Sequence, residues 1–159
     1  HGVGPDRHKR AFWQQSVEYQ LIEGGTGDYI LVDGYQRVSG TAEVREEPNG
    51  QIYWQKGGKK VTTDSKRINW YGRDPEWKDV LGFRGKQDVE KPVGEWNVSE
   101  IPCDGDTITA VLNGKVVNYV TALSQSAGKI TIQSEGAEVL IRKVEVGPIT
   151  GAVRSKYRP

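Results

Sequence analysis

Along the chain, apolar and polar side chains alternate with a period of two far more often than with the 3.6-residue period of a helix. The pattern therefore predicts strands, and no helix longer than a turn or two. In the stretch SVEYQLIEGGTGDYILV (16–32), Val17, Tyr19 and Leu21 fall on one face and Glu18 and Gln20 on the other. That is a half-buried strand, followed after Gly24-Gly25-Thr26-Gly27 by a second strand over 28–32. Short strand candidates follow at 41–45 and 51–55, set among Gly34, Gly40, Pro48-Asn49-Gly50 and Gly57-Gly58, and 33–66 reads as hairpins with exposed tips. Residues 67–94 mix Trp70, Trp77 and Phe83 with Arg, Asp, Gly and Pro in no regular period, as a functional or separately packed loop does. The alternation returns in DTITAVLNGKVVNYV, where Asn113-Gly114 predicts a type I′ hairpin. Two more strands are expected in GKITIQSEG and AEVLIRKVEV, the last ended by Pro148. Many short strands with Gly/Pro turns define an all-β sandwich or barrel over residues 1–150, with 151–159 as a polar basic tail.

Composition narrows the function classes. At 159 residues the chain is one domain of ordinary size, and a mean hydropathy of -0.64 is polar for a globular protein, although five Trp and seven Tyr supply large apolar area. Twenty-two Lys and Arg against 21 Asp and Glu leave a net charge of +1. Without a clustered cationic surface, nucleic acid and anionic membrane are not favoured partners. The basic stretches at 7–10, 56–60 and 154–158 read as solvated loops or tails. A single cysteine, Cys103, excludes an internal disulfide and a Cys-based metal site. No run approaches the ~20 apolar residues of a membrane-spanning helix.

HGVGPD, SVEYQLIEGGTGDYILV, WKDVLGFRGKQDVEKPVGEWN, CDGDTITAVLNGKVVN and GKITIQSEGAEVLIRKVEV resemble, in order and over roughly residues 1–149, consecutive blocks of the 3-keto-disaccharide hydrolase family. The resemblance implies a concanavalin/laminin-G-like jelly-roll β-sandwich of two antiparallel sheets. It also implies an exported protein, periplasmic or extracellular, that cleaves the glycosidic bond of 3-keto-glycosides by hydrolysis or elimination. A divalent metal ion takes part in some members, and no organic cofactor is implied. In the family, several strands precede the segment that matches HGVGPD. Here those strands are absent from the chain, and the expectation is a missing or unassigned N-terminal segment; were the strands truly lacking, a partner chain would have to cover the exposed edge.

A ketone at C3 acidifies the hydrogen on C2, so the chemistry needs a base near C2, a positive or hydrogen-bonding group for the enolate oxygen, and an acid or cation near the leaving oxygen. Glu18 is the expected base or metal ligand, with Gln20 beside it on the same sheet face as a partner for sugar hydroxyls. His1 is the second titratable candidate, as general acid or metal ligand. Arg142 is the expected cation at the enolate oxygen. Gln133 and Glu135, with Thr131, form a polar row suited to vicinal hydroxyls. Trp96, in GEWN, and Trp70 are expected to stack on or wall the sugar, and Glu95 and Asn97 are weaker candidates. Each has a plainer reading, as solvent-facing polar alternation or as core aromatic. Asp104 and Asp106 in CDGD lack the other ligands of a calcium loop and read as a turn. Gly24 to Gly27 lacks the Lys-Ser/Thr and helix of a phosphate cradle. Two rivals share the architecture: a non-catalytic carbohydrate-binding module and a structural or assembly β-sandwich.

Overall fold

A computed structural model describes residues 14–134 and 136–159. Ten strands and one helix form two sheets. In chain order they are β1 (Ser16–Tyr19), β2 (Tyr29–Val32), β3 (Ser39–Glu46), β4 (Ile52–Trp54), β5 (Lys59–Asp64), β6 (Arg67–Asn69), β7 (Ser99–Glu100), β8 (Cys103–Asp104), β9 (Thr107–Leu112), β10 (Lys115–Val120) and α1 (Gly151–Tyr157). The first sheet runs β1-β2-β6-β4-β3-β5, and the second runs β10-β9-β7 with β8 also on β9. This is the expected all-β architecture, two unclosed sheets consistent with a jelly-roll sandwich. One pair departs from the antiparallel rule: β4 and β6 run parallel, with Ile52 beside Ile68 and Tyr53 beside Asn69.

The alternation read in the sequence sets the two faces of the first sheet. Val17, Tyr29, Leu31, Ile68, Ile52 and Val44 point to one side and are buried against Ile108, Ala110, Leu112, Val117 and Val120 of the second sheet. Glu18, Ile30 and Arg67 are lateral neighbours on the opposite face, since Glu18 pairs with Ile30 and Ile30 with Arg67. The turn at Asn113-Gly114 has positive φ at both residues, 50° and 81°, as a type I′ hairpin requires. Lys59 and Lys60 lie on β5, an edge strand with exposed lysines, and not in a loop.

Asn118 on β10 ties the sheets together. Fully buried, it donates from Nδ2 to the carbonyl oxygens of Gly27, at 3.1 Å, and Ile68, at 2.8 Å. Gly27 has φ +107°, and a Cβ there would lie 2.6 Å from Val117 Cγ2, so the sheets approach too closely for any side chain.

Two expectations fail at the C-terminal end. The strands expected over 128–133 and 137–146 do not form: among the described residues no strand follows Val120. Leu140 is 70% exposed and Val146 80% exposed, so the alternating apolar positions face no sheet. An alternating sequence makes a strand only when a neighbour supplies the ladder and a core covers one face, and an unsupported hairpin is marginal in water. Conversely, the stretch expected as a polar tail contains α1. Its N-cap Thr150 accepts from the Val153 amide, and Arg154 pairs with Asp104 at 2.8 Å. Tyr157 is buried and donates to Glu100 at 2.5 Å.

Replacing Asn118 with Ala leaves the Gly27 and Ile68 carbonyls without that donor in a buried junction. We expect a loss of about 2–4 kcal/mol in unfolding free energy by urea denaturation, since each unsatisfied buried group costs about 1–3 kcal/mol. A loss below 0.5 kcal/mol would show that the sheets do not depend on this tie.

Candidate functional site

The polar face of the first sheet carries the site. Its centre is Asp28, the last residue of the glycine-rich turn, two places before Ile30 and on the same face. Its carboxylate is fully buried. Oδ1 accepts the Trp70 backbone N–H at 2.8 Å, and Oδ2 meets the guanidinium of Arg73 in close contact and that of Arg67 at 3.4 Å. Burial pushes the Asp28 carboxyl up to about 6, and the charges of Arg73 and Arg67 and the Trp70 N–H only partly oppose it. Arg73 is itself buried, so desolvation lowers its pKa against the pull of Asp28, and its guanidinium lies 4.2 Å from the centroid of the Trp77 ring.

The irregular segment after β6 builds this arrangement. Trp70 Nε1 donates to Gly24 O at 3.2 Å, and Trp77 Nε1 donates to Glu23 O at 2.7 Å. Glu90 accepts from the Gly24 and Thr26 amides at 3.4 and 3.3 Å, and burial raises its pKa. The loop therefore folds back over the glycine turn. Gly25 is required there, because a Cβ would lie 2.6 Å from Arg73 Nη1.

Arg67 bridges this buried ion cluster to the sheet surface. One Nη meets Asp28 and the other meets Gln20 Oε1 at 3.4 Å. Glu18 lies on the same face two strands away, about 10 Å at ~4.8 Å per strand. On the far side of Arg67 a cavity of about 370 Å³ is lined by Gln51, Lys66, Arg67, Asn69, Arg73 and Trp77, among others. That volume falls within the usual range of small-molecule sites, about 300–1,000 Å³. Beyond the cavity, Tyr53 donates to Gln51 Oε1 at 2.7 Å and carries Arg45 over its ring at 4.8 Å.

The sequence-derived candidates separate accordingly. Glu18 and Gln20 share the sheet face with Arg67, as the alternation requires. Trp70 is placed in the core, as in its plainer reading: its side chain is buried, and its backbone N–H and indole N–H go to Asp28 and Gly24. Arg142 and Gln133 lie in the segment after β10 and are exposed, and among the described residues no strand there carries the polar row expected on a sheet face. The Arg142 guanidinium lies 5.9 Å from the centroid of the half-exposed Trp96 ring. Asn97 accepts from the Lys91 amide and from Asn113 Nδ2, each at 2.8 Å, and Glu95 is exposed. His1 and Glu135 lie outside the described residues. Among the described residues no group of three or more His, Cys, Asp or Glu side chains is placed to hold a metal ion.

Asp28, Arg67 and Arg73 were not singled out from the sequence. The available signal was an acidic residue closing a glycine-rich turn, ahead of a segment, 67–94, with three arginines and two tryptophans.

Residues 5–147 match the family model of the 3-keto-alpha-glucoside-1,2-lyase-like domain. The chain belongs to this carbohydrate-related family. No curated protein and no solved structure gives a significant match. Among the described residues no helix is long and apolar enough to cross a membrane.

The folded-state pKa of Asp28 lies above its ordinary value of 3.8. Its contribution to stability is therefore complete below about pH 4 and is lost as pH rises through about 6. Between pH 3 and 7, wild type should lose about 3 kcal/mol of unfolding free energy relative to Asp28→Asn, at 1.36 kcal/mol per pKa unit. Urea titrations of both proteins across this range check it; parallel curves would contradict the raised pKa.

Proposed function

We propose that the protein cleaves the glycosidic bond of 3-keto-glycosides by hydrolysis or elimination, on the polar face of its first sheet. The observation that carries this reading, given the family, is the juxtaposition of Glu18, Gln20 and the Asp28-anchored Arg67 on one face beside a cavity.

The chemistry asked of these groups follows from the ketone. The Glu18 carboxylate takes the proton from C2, and the electron pair of that C–H bond forms the C2=C3 enolate. Arg67, held between Asp28 and Gln20, provides the positive charge that the C3 oxygen needs as it becomes anionic. This is the role expected of Arg142 from the sequence. Gln20 hydrogen-bonds a sugar hydroxyl and steadies Arg67. Collapse of the enolate re-forms the C3 carbonyl, makes C1=C2 and expels the C1 substituent as an alkoxide that must gain a proton. Ending there is elimination; addition of water across C1=C2 completes hydrolysis. The preorganisation lies in Asp28, which fixes Arg67 before substrate arrives.

Incubating a p-nitrophenyl 3-keto-glucoside with wild type and Glu18→Gln, and following nitrophenol release, tests this reading. The variant should turn over about 10²–10⁴-fold more slowly, the usual contribution of a positioned base. Full turnover by Glu18→Gln would remove Glu18 from the reaction. A wild-type protein that is stabilised by sugar yet forms no product would be a binding module.

A further inference from the structure

The cavity beyond Arg67 carries more positive charge than a neutral sugar needs. Lys66, Arg67 and Arg73 line it against a single lining carboxylate, Asp74. Asp28, directly behind, answers one further positive charge, which leaves a surplus of one. The three cations are not equivalent. Arg73 is buried, closed onto Asp28 and covered by Trp77, so it contributes field but few free donors. Arg67 is divided between Asp28 and Gln20. Lys66 is exposed and, among the described residues, makes no ion pair. Asp74 does not answer it: one oxygen of Asp74 accepts the Glu76 amide at 3.0 Å, and no ion pair with Lys66 forms. An ammonium beside a partly enclosed cavity, backed by two guanidiniums and bordered by an indole and the Gln51 and Asn69 amides, matches a pyranose ring bearing one carboxylate.

We propose that this cavity binds the sugar unit adjoining the cleaved bond, and that it selects a carboxylate-bearing, uronic-acid-type unit through Lys66. The assignment rests on the reading of the sheet face as a 3-keto-glycoside site and names the substrate class of that site. A neutral hexose fills the same volume but leaves the surplus charge unanswered.

The test is an NMR titration of the full chain, wild type and Lys66→Gln, with D-glucuronate, D-glucose and inorganic phosphate at low salt. Glucuronate should bind wild type about tenfold more tightly than glucose. Lys66→Gln should weaken glucuronate about threefold, the scale of a partly exposed charge pair, and leave glucose unchanged. Equal affinity for the two sugars, an unchanged glucuronate affinity in Lys66→Gln, or phosphate binding as tightly as glucuronate would each overturn the proposal. Turnover of the 3-keto-glucoside by the same preparation separates this inference from the reading on which it rests. Turnover without glucuronate preference leaves the activity standing and removes the acidic-sugar assignment. Glucuronate preference without turnover removes the activity and retains the cavity as an acidic-sugar site.

Discussion

The buried carboxylate of Asp28 is the constraint on which the site depends. It lies at the point where β2 leaves the glycine turn, and one short stretch of chain closes on it from across the sheet: Arg67 at the start of β6, the Trp70 backbone just after it, and Arg73 in the loop. A charged group with no exposure is a cost to folding unless its partners outweigh desolvation, and here burial wins, holding its pKa near 6. Above that pH the fold carries an unfavourable ionisation at its centre. The benefit falls outside the hydrophobic core: a guanidinium held toward Gln20 and the cavity. Under the proposed function, stability is given up at one point for a fixed site geometry, a common exchange in active sites.

That arrangement also accounts for the glycines and the irregular loop together. The turn over 24–27 must pass under Arg73 at Gly25 and against Val117 at Gly27, where any side chain would collide. The loop after β6 must lie over the turn for its two tryptophans to reach the Gly24 and Glu23 carbonyls. A segment without periodicity is thus held by specific hydrogen bonds to one short turn. Asn118 serves the same turn from the other sheet through Gly27. The polar ties converge at the one corner where the sandwich meets the site.

What the sequence made legible follows from where information is local. The β1–β2 and β9–β10 hairpins, the core face of the first sheet and the pairing of Glu18 with Gln20 all depend on residues within a few places of one another, and the alternation carries them. Asp28, Arg67 and Arg73 act as a unit across 45 residues, and nothing in the local pattern of any one of them announces the others. The failures at the C-terminal end have the same root. GKITIQSEG and AEVLIRKVEV have strand-like periodicity, yet a strand is a property of a pair and not of a segment. Where no described neighbour supplies the ladder, Ile130 and Leu140 remain exposed. The short helix was hidden for the opposite reason, since a cap at Thr150 and the burial of Tyr157 are tertiary facts written in a polar stretch.

The proposal of Arg67 in place of Arg142 for the cationic role turns on how topology distinguishes similar residues. The two arginines are equally suited by chemistry to an enolate oxygen. Arg142 lies on an exposed segment beside Trp96, where water screens its charge. Arg67 stands on a three-residue strand between β2 and β4, with one end of its guanidinium fixed by a buried carboxylate and the other by an amide. A charge already oriented in a sheltered site stabilises a developing anion without reorganising when the reaction occurs, and that property belongs to the fold around the arginine and not to the residue.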